Sequence, residues 1–283
     1  MKSFFISVVL SGIFFSVKSQ SPITIEKLWS SDTLLKTPES VFYNKESKEI
    51  YVTNMNTIHD KVADQDGFIS TLNMDGKIKN LKWVTGLDDP KGMAKFNGKL
   101  YVGDLKNLVE IDISTGKILK KHTIEGAIFL NDVAVDENGV VYVTDSFANK
   151  VFRLNMGKLE LWIEGNQLNK PNGIFISNNL FLLANMNEGI LYKIDSKSKD
   201  FTKCSENITA ADGISCDNKG NFFVSNWNGE VYFVNKNGTN WKILDTKSTK
   251  INAADIEYIA DSELLLVPTF FGNHISAYKV NSK

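Results

Sequence analysis

Six positions at the head of short apolar runs hold Glu39, Lys91, Asn131, Asn172, Asp212 and Ala254. They are separated by 52, 40, 41, 40 and 42 residues. Gathered at one place, they would set two carboxylates and two carboxamides facing one another beside one ammonium. Two buried carboxylates at close range cannot both stay ionised without a positive charge between them. A metal ion would supply that charge. The donors are all oxygens, with no His or Cys among them, which favours a hard cation: Ca²⁺ first, with Mg²⁺ or Mn²⁺ possible, over Zn²⁺. Lys91 offers two other solutions. Its ammonium could neutralise Glu39 and Asp212 internally, or bind a carboxylate or phosphate on a substrate.

The elements that would bring these residues together repeat with the same period. Each unit opens on a polar-plus-small turn: PES at 38–40, PKG at 90–92, LND at 130–132, PNG at 171–173, ADG at 211–213 and, more loosely, AAD at 253–255. A first strand follows, then a second: EIYVTN, KLYVGD, VVYVTD, LFLLAN, NFFVSN and ELLLVPT. Five of these six end in a small residue followed by Asn or Asp. Third strands begin near residues 68, 108, 151, 190, 231 and 275, and more polar fourth strands close five units. A period near 40 with four short strands per unit is the signature of a propeller blade. The sixth unit lacks a fourth strand, and an unassigned strand at 23–29 precedes the first unit. Placed as the outer strand of the last blade, it would remove two open sheet edges.

The expected fold is therefore all-β: a six-bladed β-propeller of four-stranded antiparallel blades, its ring closed by the N-terminal strand pairing into the last blade. Inner strands of a propeller run along the central axis, so the six heads converge on one channel mouth. Trp83, Trp162 and Trp241 fall on fourth strands and are expected to pack between blades. The first unit is about twelve residues longer than the others, the excess lying at 54–67. That loop could fold over the mouth as a lid or stand free at the surface. Asp145, Asn185 and Asn226, at the ends of second strands, could line the outer pocket or cap a turn.

Composition sets wider bounds. The chain has 283 residues, a net charge of −1 and 42% apolar residues. No basic stripe suits nucleic acid. Lys2 precedes an apolar run at 4–17, too short to span a membrane comfortably. Residues 1–19 thus read as a signal peptide, residues 20–283 as one propeller domain, and the location as secreted or periplasmic. Export permits a disulfide between Cys204 and Cys216 if their strands are neighbours; otherwise both are small buried apolar residues.

Across residues 36–280 the sequence resembles the gluconolactonase, senescence marker protein and luciferin-regenerating enzyme-like propellers. The resemblance is carried by Pro38-Glu39, Asn131-Asp132, the PNG at 171–173 and the ADG at 211–213. It implies one divalent cation held by Glu39, Asn172 and Asp212, with Asn131 in contact with substrate close to the metal. Lys91, a departure from the family in the same ring, and Asp132, next to Asn131, are this chain's further substrate-binding candidates. It also implies Asp212 as general base in hydrolysis of a small ester or lactone. Where many sugar-lactonase members have an arginine just before the third-blade Asn, this chain has Leu130. The alternative from another class is a non-catalytic ligand- or protein-binding propeller of the NHL type. A strictosidine-synthase-like reading lacks a suitably placed glutamate in the last blade.

Overall fold

The computed structural model describes residues 20–56 and 63–283. The signal-peptide expectation, on residues 1–19, and the middle of the 54–67 loop lie outside the described residues. Among the described residues, twenty-four strands form six four-stranded sheets, with four single-turn 3₁₀ segments between them. Each sheet takes its strands in chain order except the last. There Ile23–Ser30 forms the outer edge against Ile275–Ser282, running from Ile23 opposite Ser282 to Ser30 opposite Ser276. The ring closes as the sequence suggests, by joining the two ends of the chain in one sheet. Among the described residues no helix is long and apolar enough to cross a membrane.

The core lies between the blades. Six apolar clusters each combine residues of two adjacent sheets, such as Tyr101 and Leu108 with Val133 and Val143, or Leu182 and Leu191 with Ile214 and Val224. This explains why the inner strands are apolar on both faces: each face meets a neighbouring blade. The three tryptophans occupy these gaps. Trp83 meets Tyr51 edge-on at 4.8 Å, Trp162 meets Tyr142 at 4.7 Å, and Trp241 stacks near Phe233. Cys204 and Cys216 are free thiols, both partly buried against the gap between blades four and five.

The polar-plus-small motifs are not turns. They are β-bulges inside the inner strands. In blade one Pro38 faces Asn54 and Val41 faces Val52, so three steps on the inner strand match two on its partner. The same shift recurs at Pro90/Met93, Leu130/Val133, Pro171/Ile174 and Ala211/Ile214. A bulge throws its extra residues out of the ladder and re-aims their side chains. Blade six differs. Its inner strand is only Glu257–Ile259, and Asp255 makes one isolated parallel bridge to Ser40. The expected sixth strand head at 253–256 is therefore a connection that leans on blade one.

Candidate functional site at the channel mouth

The bulge carries two consecutive residues in each of five blades, and the two have separate tasks. The first is the series Glu39, Lys91, Asn131, Asn172 and Asp212. All five are buried, and all five line one cavity of about 360 Å³ at the mouth. The structure thus brings together every member of the ring that the sequence nominated except Ala254. That residue contributes no polar group and packs with Met55 and Phe270.

The second bulge residues are Ser40, Gly92, Asp132, Gly173 and Gly213, with Asp255 as the blade-six equivalent. They fit one another around the axis. A Cβ on Gly92 would overlap Asp132 Oδ1, and one on Gly213 would overlap Asp255 Oδ1. A Cβ on Gly173 would overlap the Asp212 carbonyl oxygen. The glycines of PKG, PNG and ADG are needed for close approach between blades. Asp132 therefore turns away from the mouth. Its Oδ1 accepts from the Val133 N–H at 2.7 Å and its Oδ2 from the Ile174 N–H at 2.7 Å. It lines a second cavity of about 230 Å³, deeper in the channel, with Asp255 and Glu257. The mouth cavity and Asp132, expected together, are separate places.

The backbone of the bulge is satisfied by hydroxyls on the second strand. Ser40 N–H donates to Thr53 Oγ1 at 3.0 Å, Asp132 N–H to Thr144 Oγ1 at 2.9 Å, and Gly213 N–H to Ser225 Oγ at 2.8 Å. The small residue ending the second strands of blades one, three and five is thus a bulge partner. The Asn or Asp after it is a staple for the incoming connection. Asp145 accepts from the N–H groups of Ile128, Phe129, Phe147 and Ala148 at 2.7–3.2 Å. Asn185 accepts from Glu188 N–H and donates to the Leu168 carbonyl. Asn226 accepts from Asn228 N–H and donates to the Thr209 carbonyl. These three residues cap loops and do not line the mouth cavity.

Among the mouth residues, Glu39 Oε2, Asn172 Oδ1 and Asp212 Oδ1 are buried without a hydrogen-bond partner. Buried polar atoms are rarely left so, and a bound ion is one standard reason for such a set. Burial pushes the Glu39 carboxyl well above the usual carboxylate range; Asp212 and Asp255 push the same way, and Lys91 opposes them. Asp212 is raised by burial and by Asp255, against a hydrogen bond from Asn172. Alone, these carboxyls are pushed toward holding protons. A divalent cation would release them, and the oxygen-only donor set fits a hard one. The set is two carboxylates and an amide; among the described residues no trio of His, Cys, Asp or Glu gathers into a metal-binding group.

Lys91 is fully enclosed. Its ammonium donates to the Asp89 carbonyl at 3.2 Å and lies 4.2 Å from the centre of the Phe129 ring. Asn131 is held by Ser146: its Nδ2 donates to Ser146 Oγ at 3.0 Å, and that hydroxyl donates to the Pro171 carbonyl at 2.7 Å.

The sequence reading missed a second series. The residues directly after the second-strand Asn or Asp, or after Thr269 in blade six, are Met55, Leu105, Ser146, Met186, Trp227 and Phe270. All but Leu105 line the mouth cavity, joined by Phe129, Phe147 and Phe271. Their period of about 40 was visible; their position one layer above the polar ring follows only from the fold.

Compared by sequence, the chain matches no family model and no curated protein. Compared by structure, it resembles a structural-genomics target provisionally described as a gluconolactonase, with a TM-score of 0.71 and 14% identity over 93% of this chain and 94% of that one. A streptogramin B lyase gives a TM-score of 0.67 at 13% identity, over 92% of this chain and 98% of that one. Virginiamycin B lyase from Staphylococcus aureus, solved as a catalytically inactive histidine-to-alanine variant with quinupristin, gives 0.64 at 12% identity over 91% and 99%. At such identities the likeness is one of fold, and at that level the resemblance to gluconolactonase-type six-bladed propellers holds.

Proposed function

We propose that this protein is a divalent-metal-dependent hydrolase of a small ester or lactone, acting at the channel mouth. One observation carries the reading: three buried oxygens without partners, on Glu39, Asn172 and Asp212, in a single cavity. Those three residues would hold the cation. When bound, such an ion supplies polarisation of the substrate carbonyl and stabilisation of the oxyanion that develops.

The chain's own residues would do the rest. Asp212 takes a proton from the attacking water as the water oxygen bonds to the acyl carbon. The acyl–oxygen bond then breaks, and the proton passes to the leaving alkoxide. Asn131, fixed by Ser146, offers its amide to the substrate. Lys91 adds a fixed positive charge beside Glu39. The lyase likeness has no comparable support. Among the described residues His122 is paired with Glu110 at 2.6 Å on the outer part of blade two. His274 Nδ1 meets the Gly272 carbonyl, and neither histidine lines the cavity. Export to a secreted or periplasmic location is part of the proposal and rests on the sequence of residues 1–19.

The test is elemental analysis of the purified protein together with its melting temperature in chelator and with added Ca²⁺, Mg²⁺ or Mn²⁺. The expected result is one bound divalent ion and a rise in melting temperature that Asp212→Ala abolishes. No bound ion and no rise would sink the metal site. Ester or lactone hydrolysis surviving Asp212→Ala unchanged would show that the base is misassigned. Absence of any hydrolysis would leave the non-catalytic binding propeller.

A further inference from the structure

The mouth cavity has two storeys of opposite character. The floor is polar: the orphan oxygens face the proposed ion, Ser146 donates its proton to the Pro171 carbonyl, and the Asn131 amide is left for the reacting carbonyl. The walls above are aromatic and sulfur-bearing. On one side Phe129 and Phe147 pair at 4.6 Å with their planes 31° apart. On the other, Trp227, Phe270 and Phe271 form an edge-to-face group, Phe270 to Phe271 at 4.9 Å and Trp227 to Phe270 at 5.7 Å. Met55 and Met186 complete the walls from blades one and four.

Two of these rings stand half in water. Phe147 is 47% exposed and Phe271 is 53% exposed, although each is anchored by an aromatic neighbour below it. An aromatic face left open over a concave site gains by being covered with apolar surface. A polyhydroxylated ring would fare badly here. Each hydroxyl placed between those walls would give up water without finding a partner.

We propose, resting on the hydrolase reading above, that the substrate is a lipophilic ester or lactone, with its carbonyl at the polar floor. Its alkyl or aryl body is clamped between the Phe129–Phe147 pair and the Trp227–Phe270–Phe271 group. Phe147 and Phe271 determine specificity, because they are the wall residues with most surface left to cover. Thioether side chains at Met55 and Met186 adapt to the outline of that body.

The experiment has a catalytic arm and a binding arm. In the first, kcat/KM is measured for γ-lactones from γ-butyrolactone to γ-nonalactone and for glucono-δ-lactone. The second titrates the unreactive lactams 5-methyl- and 5-pentyl-2-pyrrolidinone by calorimetry. In both arms the expected gain is about three- to fourfold per added methylene, the effect of burying one CH₂. Glucono-δ-lactone should be the poorest substrate. Phe147→Ser and Phe271→Ser, both at half-exposed positions that folding tolerates, should reduce the gain to under twofold per methylene.

Lactam affinity independent of chain length in the wild type would overturn the proposal, and so would a preference for glucono-δ-lactone. Chain-length-dependent lactam binding without hydrolysis of any lactone would support the apolar clamp while removing the hydrolase reading beneath it. Unchanged slopes in both serine variants would overturn the assignment of Phe147 and Phe271.

Discussion

The Thr144 hydroxyl joins two blades: it donates to the Asn172 carbonyl at 2.8 Å and accepts the Asp132 N–H at 2.9 Å. One side chain on a second strand thus fixes the bulge of its own blade and the backbone of a proposed ligand in the next. Thr144→Val keeps the shape and strands both backbone groups. The expected cost is about 1–3 kcal/mol, read as a lower melting temperature. Thr144→Ser should restore most of it. Because Asn172 loses its anchor, Thr144→Val should also weaken the divalent-ion stabilisation, which a stability defect elsewhere would leave intact.

Gly173 admits no side chain, because a Cβ there would overlap the Asp212 carbonyl oxygen and press on Ile214. Gly173→Ala must push blades four and five apart at the bulge. Overpacking of this kind costs roughly 1–3 kcal/mol, and here it falls on backbone that cannot rotate away. Chemical denaturation should show the loss. Gly98→Ala serves as a contrast: its positive φ of 74° strains an alanine, yet nothing lies within 4 Å of the added carbon. It should leave ion-dependent stabilisation untouched, whereas Gly173→Ala should reduce it.

Much of this arrangement was legible beforehand, for a physical reason. Each blade repeats because each must bury the same two faces, so strands, period and closure all leave apolar traces in the sequence. The ring Glu39, Lys91, Asn131, Asn172 and Asp212 was legible because those residues interrupt the apolar pattern at one fixed phase. What stayed hidden was local geometry. PNG and ADG read as turns because bulges and turns share small residues. Only the neighbour's Asp212 carbonyl and Asp255 carboxylate, from distant parts of the chain, explain the glycines. Asp132 read as a substrate residue by adjacency to Asn131, yet successive residues at a bulge point to different storeys. The aromatic wall was hidden because Trp227 or Phe270 beside a strand end looks like ordinary core.

Stability should fall with rising pH in the ion-free protein. Burial, and then the neighbouring Asp255, push the half-buried Glu257 up to about 8; burial pushes Asp255 up to about 7. Both carboxyls are raised relative to the unfolded chain, where carboxylates titrate near 4. The folded state therefore holds more protons between those limits, and raising the pH works against it. This contribution is full below about pH 4 and is lost as the pH rises through about 7 to 8. Melting temperatures in chelator should drop across that window. Glu257→Gln should flatten the drop, and a wild-type curve level from pH 5 to 9 would refute the assignment.

Lys91 separates two readings of the polar floor. Its charge lowers Glu39 while burial, Asp212 and Asp255 raise it, so the ammonium already stabilises the ionised ring in part. If that were the whole answer, Lys91→Met would leave the carboxyls protonated and the site indifferent to cations. If the site takes a divalent ion, Lys91 repels it across a poorly screened interior. Lys91→Met should then tighten divalent binding by roughly tenfold or more, seen as ion-dependent melting at lower Ca²⁺. Turnover of a good lactone substrate should fall in the same variant, because the fixed positive charge beside the reacting carbonyl is gone. Tighter ion binding with weaker catalysis would make Lys91 an electrostatic partner of the reaction. Loss of both would make it a structural counter-ion for Glu39.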